Sequence, residues 1–246
     1  MPFLIDTSGG QRRVLSEERS ASYRFVDQVL REDKNFDHEI ELVVDLTSSR
    51  NTLEKGIHNV QPSQLDNRGG RGGRGGGTAL YDAVLLASED VIARQHGRKA
   101  LIVLSDGEDR GSKVSLFRAI DAAQKSDTLV YSILFEDDLS AYYGGGRRRR
   151  GGIPRYPPPR QTGPDGDGKK VLERLAHETG GSFFQVSRKL PLNAIFERMQ
   201  EELRNQYSLG YTPDKPAKPG EFRRIHVATR DKTLLVQSRD GYYGSN

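Results

Sequence analysis

Residues 1–10, Met1-Pro-Phe-Leu-Ile-Asp-Thr-Ser-Gly-Gly10, pass from a short apolar run into a carboxylate, two hydroxyls and two glycines. That pattern predicts a strand entering a polar loop. In an open, mostly parallel sheet, ligands sit in the crevice at the carboxyl ends of the strands, so Asp6 and Ser8 would face a ligand and not the core. A hard cation such as Mg²⁺ takes about six oxygens, and two side chains of one loop supply too few.

Further oxygens stand downstream. Gly75-Gly-Gly-Thr78 opens a helical pattern, and Ala100-Leu-Ile-Val-Leu-Ser-Asp106-Gly107 repeats the motif of an apolar strand ending in a carboxylate. From spacing alone, these residues either converge on a cation or merely punctuate strand ends and cap helices.

In this order the residues resemble the metal-ion-dependent adhesion site of von Willebrand factor type A domains, which reads D-x-S-x-S, then Thr, then Asp. Asp6, Ser8, Thr78 and Asp106 match. The match departs at Gly10, where the family has a second ligating Ser and water would have to substitute. A narrower resemblance, to bacterial type A proteins first grouped in acidobacteria, runs through GGTALYDAVLLASED from Gly76, GRKALIVLSDGEDRGS from Gly97, LAHETGGSFF from Leu175, LRNQYSLGYTP from Leu203 and GYYG from Gly241. The resemblance implies a Rossmann-like three-layer α/β/α domain with a mostly parallel sheet. It also implies a non-enzymatic, adhesion-type function. In that function Mg²⁺ or Mn²⁺, held by Asp6, Ser8, Thr78 and Asp106, receives a carboxylate from a protein partner, with Gly10 and Glu108 as loop support.

Composition bounds the alternatives. A chain of 246 residues suffices for one α/β domain and a small appendage. With no cysteine there is no disulfide framework, thiolate site or Cys nucleophile. No apolar run approaches the roughly 20 residues of a membrane span. Arg12 and Arg13 follow the apolar stretch where a signal peptide would have them precede it, so the chain reads at face value as cytoplasmic. Relatives, the resemblance implies, are often exported and carry β structure ahead of the domain, so this chain reads as starting inside its first strand, as a fragment would.

Net charge is +4, unevenly spread: Arg68, Arg71 and Arg74 give +3, residues 144–168 give +4 from six arginines less two aspartates, and −3 is left for the remainder. The basic stretches, about 67–77 and 137–168, lack the apolar residues needed to pack. They support an alternative reading, a metal-independent module for nucleic acid or another polyanion, through Arg68, Arg71, Arg74 and the run Arg147, Arg148, Arg149, Arg150. Tyr142, Tyr143 and Tyr156 near the second stretch suit base stacking, whereas the first has no aromatic.

Along the chain, helices are expected at Val14–Arg31 and briefly at Leu53–Val60. Only one strand, Ile40–Leu46, is expected between them, as though a strand of the family were missing. Thr78 is expected to cap a helix with stripe Leu80, Val84, Ala87 and Val91. Ala100–Leu104 and Leu129–Phe135 read as buried strands, and Val114, Phe117 and Ile120 as a helix between them. Val171, Leu172 and Leu175 mark a helix ended by Gly180, followed by a strand at Ser182–Val186. Pro191 starts a helix with stripe Leu192, Ile195, Phe196, Met199 and Leu203. Gln206–Thr212, Phe222–Thr229 and Thr233–Arg239 read as three antiparallel strands. The expected domains are therefore 1–203, the type A unit, and 204–246, a β extension.

Catalysis finds little support. Ile-Asp-Thr-Ser-Gly is not the Asp-Thr-Gly of aspartic proteases and occurs once, whereas a shared proton needs two. His38, His58, His96, His177 and His226 lack metal-ligand spacing, and no nucleophile elbow or phosphate loop is present. Glu108 and Asp109 read as solvated charge.

Overall fold

The computed structural model describes residues 3–6, 34–36, 40–41, 55, 78–135, 168–207 and 209–244. Strands β1 (Phe3–Asp6), β2 (Lys34–Phe36), β3 (Ile40–Glu41), β4 (Lys99–Ser105), β5 (Thr128–Leu134) and β6 (Phe183–Gln185) form one sheet in the order β3-β2-β1-β4-β5-β6. All neighbours are parallel except β2 and β3. The helices are α1 (Leu80–Leu86, continued by a π turn over Ala87–Ile92), α2 (Leu116–Lys125), α3 (Gly168–Thr179) and α4 (Leu192–Arg204).

Central strand β4 is buried from Ala100 to Ser105, as a parallel strand covered on both faces must be. Its alternate residues serve two cores, because successive side chains of a strand point to opposite faces. Ile102 and Leu104 join Ile5, Tyr131, Ile133 and the α4 residues Ile195, Phe196 and Met199. Leu101 and Val103 join Leu4, Val130 and the buried faces of α1, α2 and α3. The result is the three-layer α/β/α arrangement, with a small antiparallel pair, β7 (Phe222–Arg224) and β8 (Gly241–Tyr243), in the C-terminal part.

Several expectations are corrected. Two strands, not one, lie between Lys34 and Leu46: β2 pairs with β1, and β3 turns back against β2, so no strand is missing there. The sequence conceals β2 because Lys34-Asn-Phe36 is three residues long and largely polar, and it reads as the end of a helix. In α2 the buried stripe is Leu116, Ala119, Ile120 and Ala123, while Phe117 is 69% exposed. Val114 precedes the helix, so a period counted from it falls out of phase.

The expected strands at Gln206–Thr212 and Thr233–Arg239 are absent among the described residues. Leu209, Tyr211, Leu234, Leu235 and Val236 are exposed, so the alternation there does not reflect a buried face. The expected helix at Val14–Arg31 lies outside the described residues, and Lys55 alone of Leu53–Val60 is described, as helical.

The π turn corrects the α1 stripe. Its Ala93 N–H donates to Ser88 O at 2.9 Å, a five-residue step that rotates the next residues by one position. Ile92 is therefore buried, and Val91 is only half-buried. Ile92→Ala is expected to cost about 2–4 kcal/mol in urea unfolding and Val91→Ala under about 1 kcal/mol. Equal costs would mean the helix keeps an α period.

The β7–β8 segment docks on the ends of α2 and α3. Arg239 pairs with Asp127, Asp240 N–H donates to Glu178 O at 3.4 Å, and Lys125 Nζ lies 4.9 Å from the Tyr243 ring centre. Buried Asp121 anchors this region, accepting from Arg118 and Lys125 at 2.9 Å each. Burial acts to raise its carboxyl, but the Tyr243 hydroxyl, Lys125 and Arg118 together hold it below the ordinary 3.8. A depressed carboxyl contributes stability that is fully present above 3.8 and is lost as pH falls through the lower folded value. Asp121→Asn is thus expected to destabilise by about 1–2 kcal/mol at neutral pH, with the difference from the parent shrinking as pH falls below 3.8. A difference unchanged across that range would assign the cost to packing.

Candidate metal centre at the carboxyl edge of the sheet

Parallel pairing sets Ile5 beside Leu104, and continuing that register places Asp6 level with Ser105, one residue before Asp106. The carboxyl ends of β1 and β4 therefore deliver two aspartates to one edge. Asp6 is described in its backbone only, and Ser8 and Gly10 lie outside the described residues, as do Arg68, Arg71, Arg74 and Arg147–Arg150.

Thr78 reaches the same edge from another loop. It is buried, and its carbonyl accepts from the N–H groups of Arg110 and Gly111, both at 3.0 Å, which ties it to the loop leaving β4. Half-buried Asp106 begins that loop. Its Oδ1 accepts from Glu108 N–H at 2.9 Å, while Ser105 Oγ accepts from Gly107 N–H at 3.0 Å, so the turn is braced by the side chains on either side of its first peptide. Gly107 has φ +77, and a Cβ there would lie 2.1 Å from Gly168 O. The start of α3 thus rests on the Asp106–Gly107 peptide.

The backbone of Thr78 is tied to the loop that Asp106 begins, and two expected roles are corrected. Ala79, not Thr78, is the N-cap of α1, and it makes no side-chain capping bond. That task falls to Asp109, which is half-buried and accepts from Tyr81 N–H at 3.2 Å and Ser112 Oγ at 2.6 Å. Burial pushes the Asp109 carboxyl up, against the opposing pull of Ser112 and Tyr81. Asp109 is therefore not solvated charge, whereas Glu108 is exposed and pairs with Arg110. The signal in the sequence is Asp82 in the first turn of α1 facing an Asp-x-x-Ser pattern at Asp109–Ser112.

Among the described residues no group of three or more His, Cys, Asp or Glu side chains gathers; the described side-chain oxygens at this edge include those of Asp106 and Thr78. Such oxygens are the chemistry of hard cations.

Residues 1–108 match the family model described as the von Willebrand factor type A domain. Over those residues the chain is similar to a type A domain. The match spans β1 through the Asp106 turn, the elements that frame the edge.

Solved structures extend the likeness to most of the chain. An aerotolerance-related membrane protein from Bacteroides fragilis is 15% identical with a TM-score of 0.55, covering 83% of this chain and 98% of its own. A von Willebrand factor type A protein from Catenulispora acidiphila is 16% identical at 0.55, covering 82% and 41%. Proximal thread matrix protein 1 from the mussel byssus, with a zinc-occupied MIDAS motif, is 17% identical at 0.50, covering 83% and 43%. At these identities the likeness is one of fold, and the chain spans less than half the length of the last two. A search of the curated proteins finds no match. No helix among the described residues is long and apolar enough to cross a membrane.

Proposed function

We propose that this type A domain is a non-enzymatic interaction module whose carboxyl-edge site holds Mg²⁺ or Mn²⁺ through Asp6, Ser8, Thr78 and Asp106. A carboxylate of a protein partner completes the coordination. The working unit is residues 1–203, with 204–246 as an appended β extension. The observation that carries this reading is the convergence of the β1 end, Thr78 and Asp106 at one edge. The donor set fits, because carboxylate and hydroxyl oxygens suit a hard cation. When bound, the ion would supply positive charge for a partner oxygen. Half-buried Asp106 sits on a short, braced turn, and buried Thr78 is tied to the same loop through its carbonyl, which lowers the ordering cost of taking up the ion.

Calorimetric titration of the intact chain with Mg²⁺ and Mn²⁺ tests the site, and partner capture with and without EDTA tests its use. Binding at millimolar ion or tighter, with capture abolished by EDTA, is expected. A partner indifferent to EDTA but released by salt would overturn the reading in favour of polyanion binding through the arginine segments. Gly10→Ser restores the hydroxyl that the family has, and it is expected to tighten Mg²⁺ by about 1–2 kcal/mol. An unchanged affinity would remove position 10 from the coordination shell.

A further inference from the structure

The loop leaving β4 and the start of α1 are joined by carboxylates running in both directions. Asp109 Oδ1 accepts from Tyr81 N–H and the Ser112 hydroxyl, and its Oδ2 accepts from Ser112 N–H at 3.3 Å. In return Asp82 Oδ1 accepts from Lys113 N–H and Val114 N–H at 3.0 Å each, and its Oδ2 from Lys113 N–H at 3.0 Å. Asp82 N–H donates to Ser112 Oγ at 3.1 Å, so one hydroxyl serves both carboxylate-bearing residues. Between these crossings Arg110 and Gly111 donate to Thr78 O. Every residue from Asp109 to Val114 therefore bonds to the segment 78–82.

We infer that Asp109 and Asp82 are positioning residues of the candidate centre, a reciprocal carboxylate bracket that holds Thr78 against the loop of Asp106. For its cation this rests on the proposed function; its geometry stands without it. The first N–H groups of α1 have no partner within the helix, and a carboxylate placed there satisfies them and opposes the helix dipole. Half-burial of Asp109 strengthens those bonds by keeping water from competing. The bracket acts through Thr78, so its loss should spread the distance between two coordinating groups while the sheet stays intact.

The test compares Asp109→Ala and Asp109→Asn with the parent by hydrogen exchange and by Mg²⁺ calorimetry. In Asp109→Ala the amides of Arg110 and Gly111 are expected to exchange about tenfold faster or more, with the β4–β5 ladder unchanged, because opening is local. Mg²⁺ affinity should fall about tenfold, a shift of roughly 1.4 kcal/mol. Asp109→Asn keeps an acceptor for Tyr81 N–H and should recover most of both. A lowered melting temperature with parent-like affinity and parent-like exchange at Arg110 and Gly111 would overturn the inference, leaving Asp109 a plain helix cap. Should Asp109→Ala fail to fold, Ser112→Ala, which removes the shared hydroxyl, carries the same two readouts. A parent that takes up neither ion sinks the proposed function, and the exchange at Arg110 and Gly111 then decides the bracket alone.

Discussion

Asp106→Ala is expected to abolish detectable Mg²⁺ and Mn²⁺ binding at millimolar ion, an effect of about ten- to a hundredfold on affinity. A charge-assisted contact to an ion is worth about 1.5–3 kcal/mol, and its loss leaves the cation with one carboxylate where the reading supplies two. The substitution also frees the Glu108 N–H from its acceptor, so Asp106→Asn is the sharper probe. The amide oxygen of Asn can still close that turn, but the charge is gone. Asp106→Asn should melt close to the parent while losing the ion, and Glu108→Gln, an exposed neighbour, should leave both properties unchanged. Calorimetry on the three variants checks this, and full binding by Asp106→Asn would place the ion elsewhere.

Gly107→Ala carries the second large effect, on stability. Two costs add at that position. With φ at +77 the backbone occupies a region that Ala enters at about 1 kcal/mol, and its Cβ would lie 2.1 Å from a backbone oxygen that no rotamer change can move. Together these predict a loss of about 3 kcal/mol or more, or roughly 6–12 °C in melting temperature for a chain of this size. Gly168→Ala meets the same contact from the other side, its Cβ 2.1 Å from Asp106 O. The two should therefore be less than additive in the double variant. A loss below about 1 kcal/mol in both single variants would show that α3 can lift off the turn at little cost.

These two positions also show how far the sequence is legible. Asp106 can be read because β4 is buried on both faces, so an unbroken apolar run ends abruptly in a carboxylate. Thr78 can be read from its place before a helical pattern, although not its role, since its bonds run through its backbone carbonyl. Gly168 cannot be read at all. Its contact is between two backbones 61 positions apart in the numbering, and a sequence records no such proximity.

Asp109 and Asp82 are hidden for a related reason: each serves partners about thirty residues away, |i−j| of 28 for Tyr81 and 31 for Lys113, so neither looks like a local cap. Among the elements, β2 is too short for its period to register, and the π turn breaks a period that holds as far as Ala87. In the C-terminal segment the opposite error arises, because alternation at Leu209, Tyr211 and Leu234–Val236 is present without burial behind it.

The docking of β8 and its flanks on Asp127, Glu178 and Lys125 has a geometric consequence for handling the molecule. In a parallel sheet each helix carries the chain back from the end where a strand finishes to the end where the next begins, so the last residues of α2 and α3 stand at the opposite pole from Asp106. An attachment made through residues 239–243 therefore grips the domain from behind. Whatever the chain is fastened to by that end, a bead, a sensor chip or a neighbouring module, the edge bearing Asp106 and Thr78 is turned outward, toward anything arriving from solution.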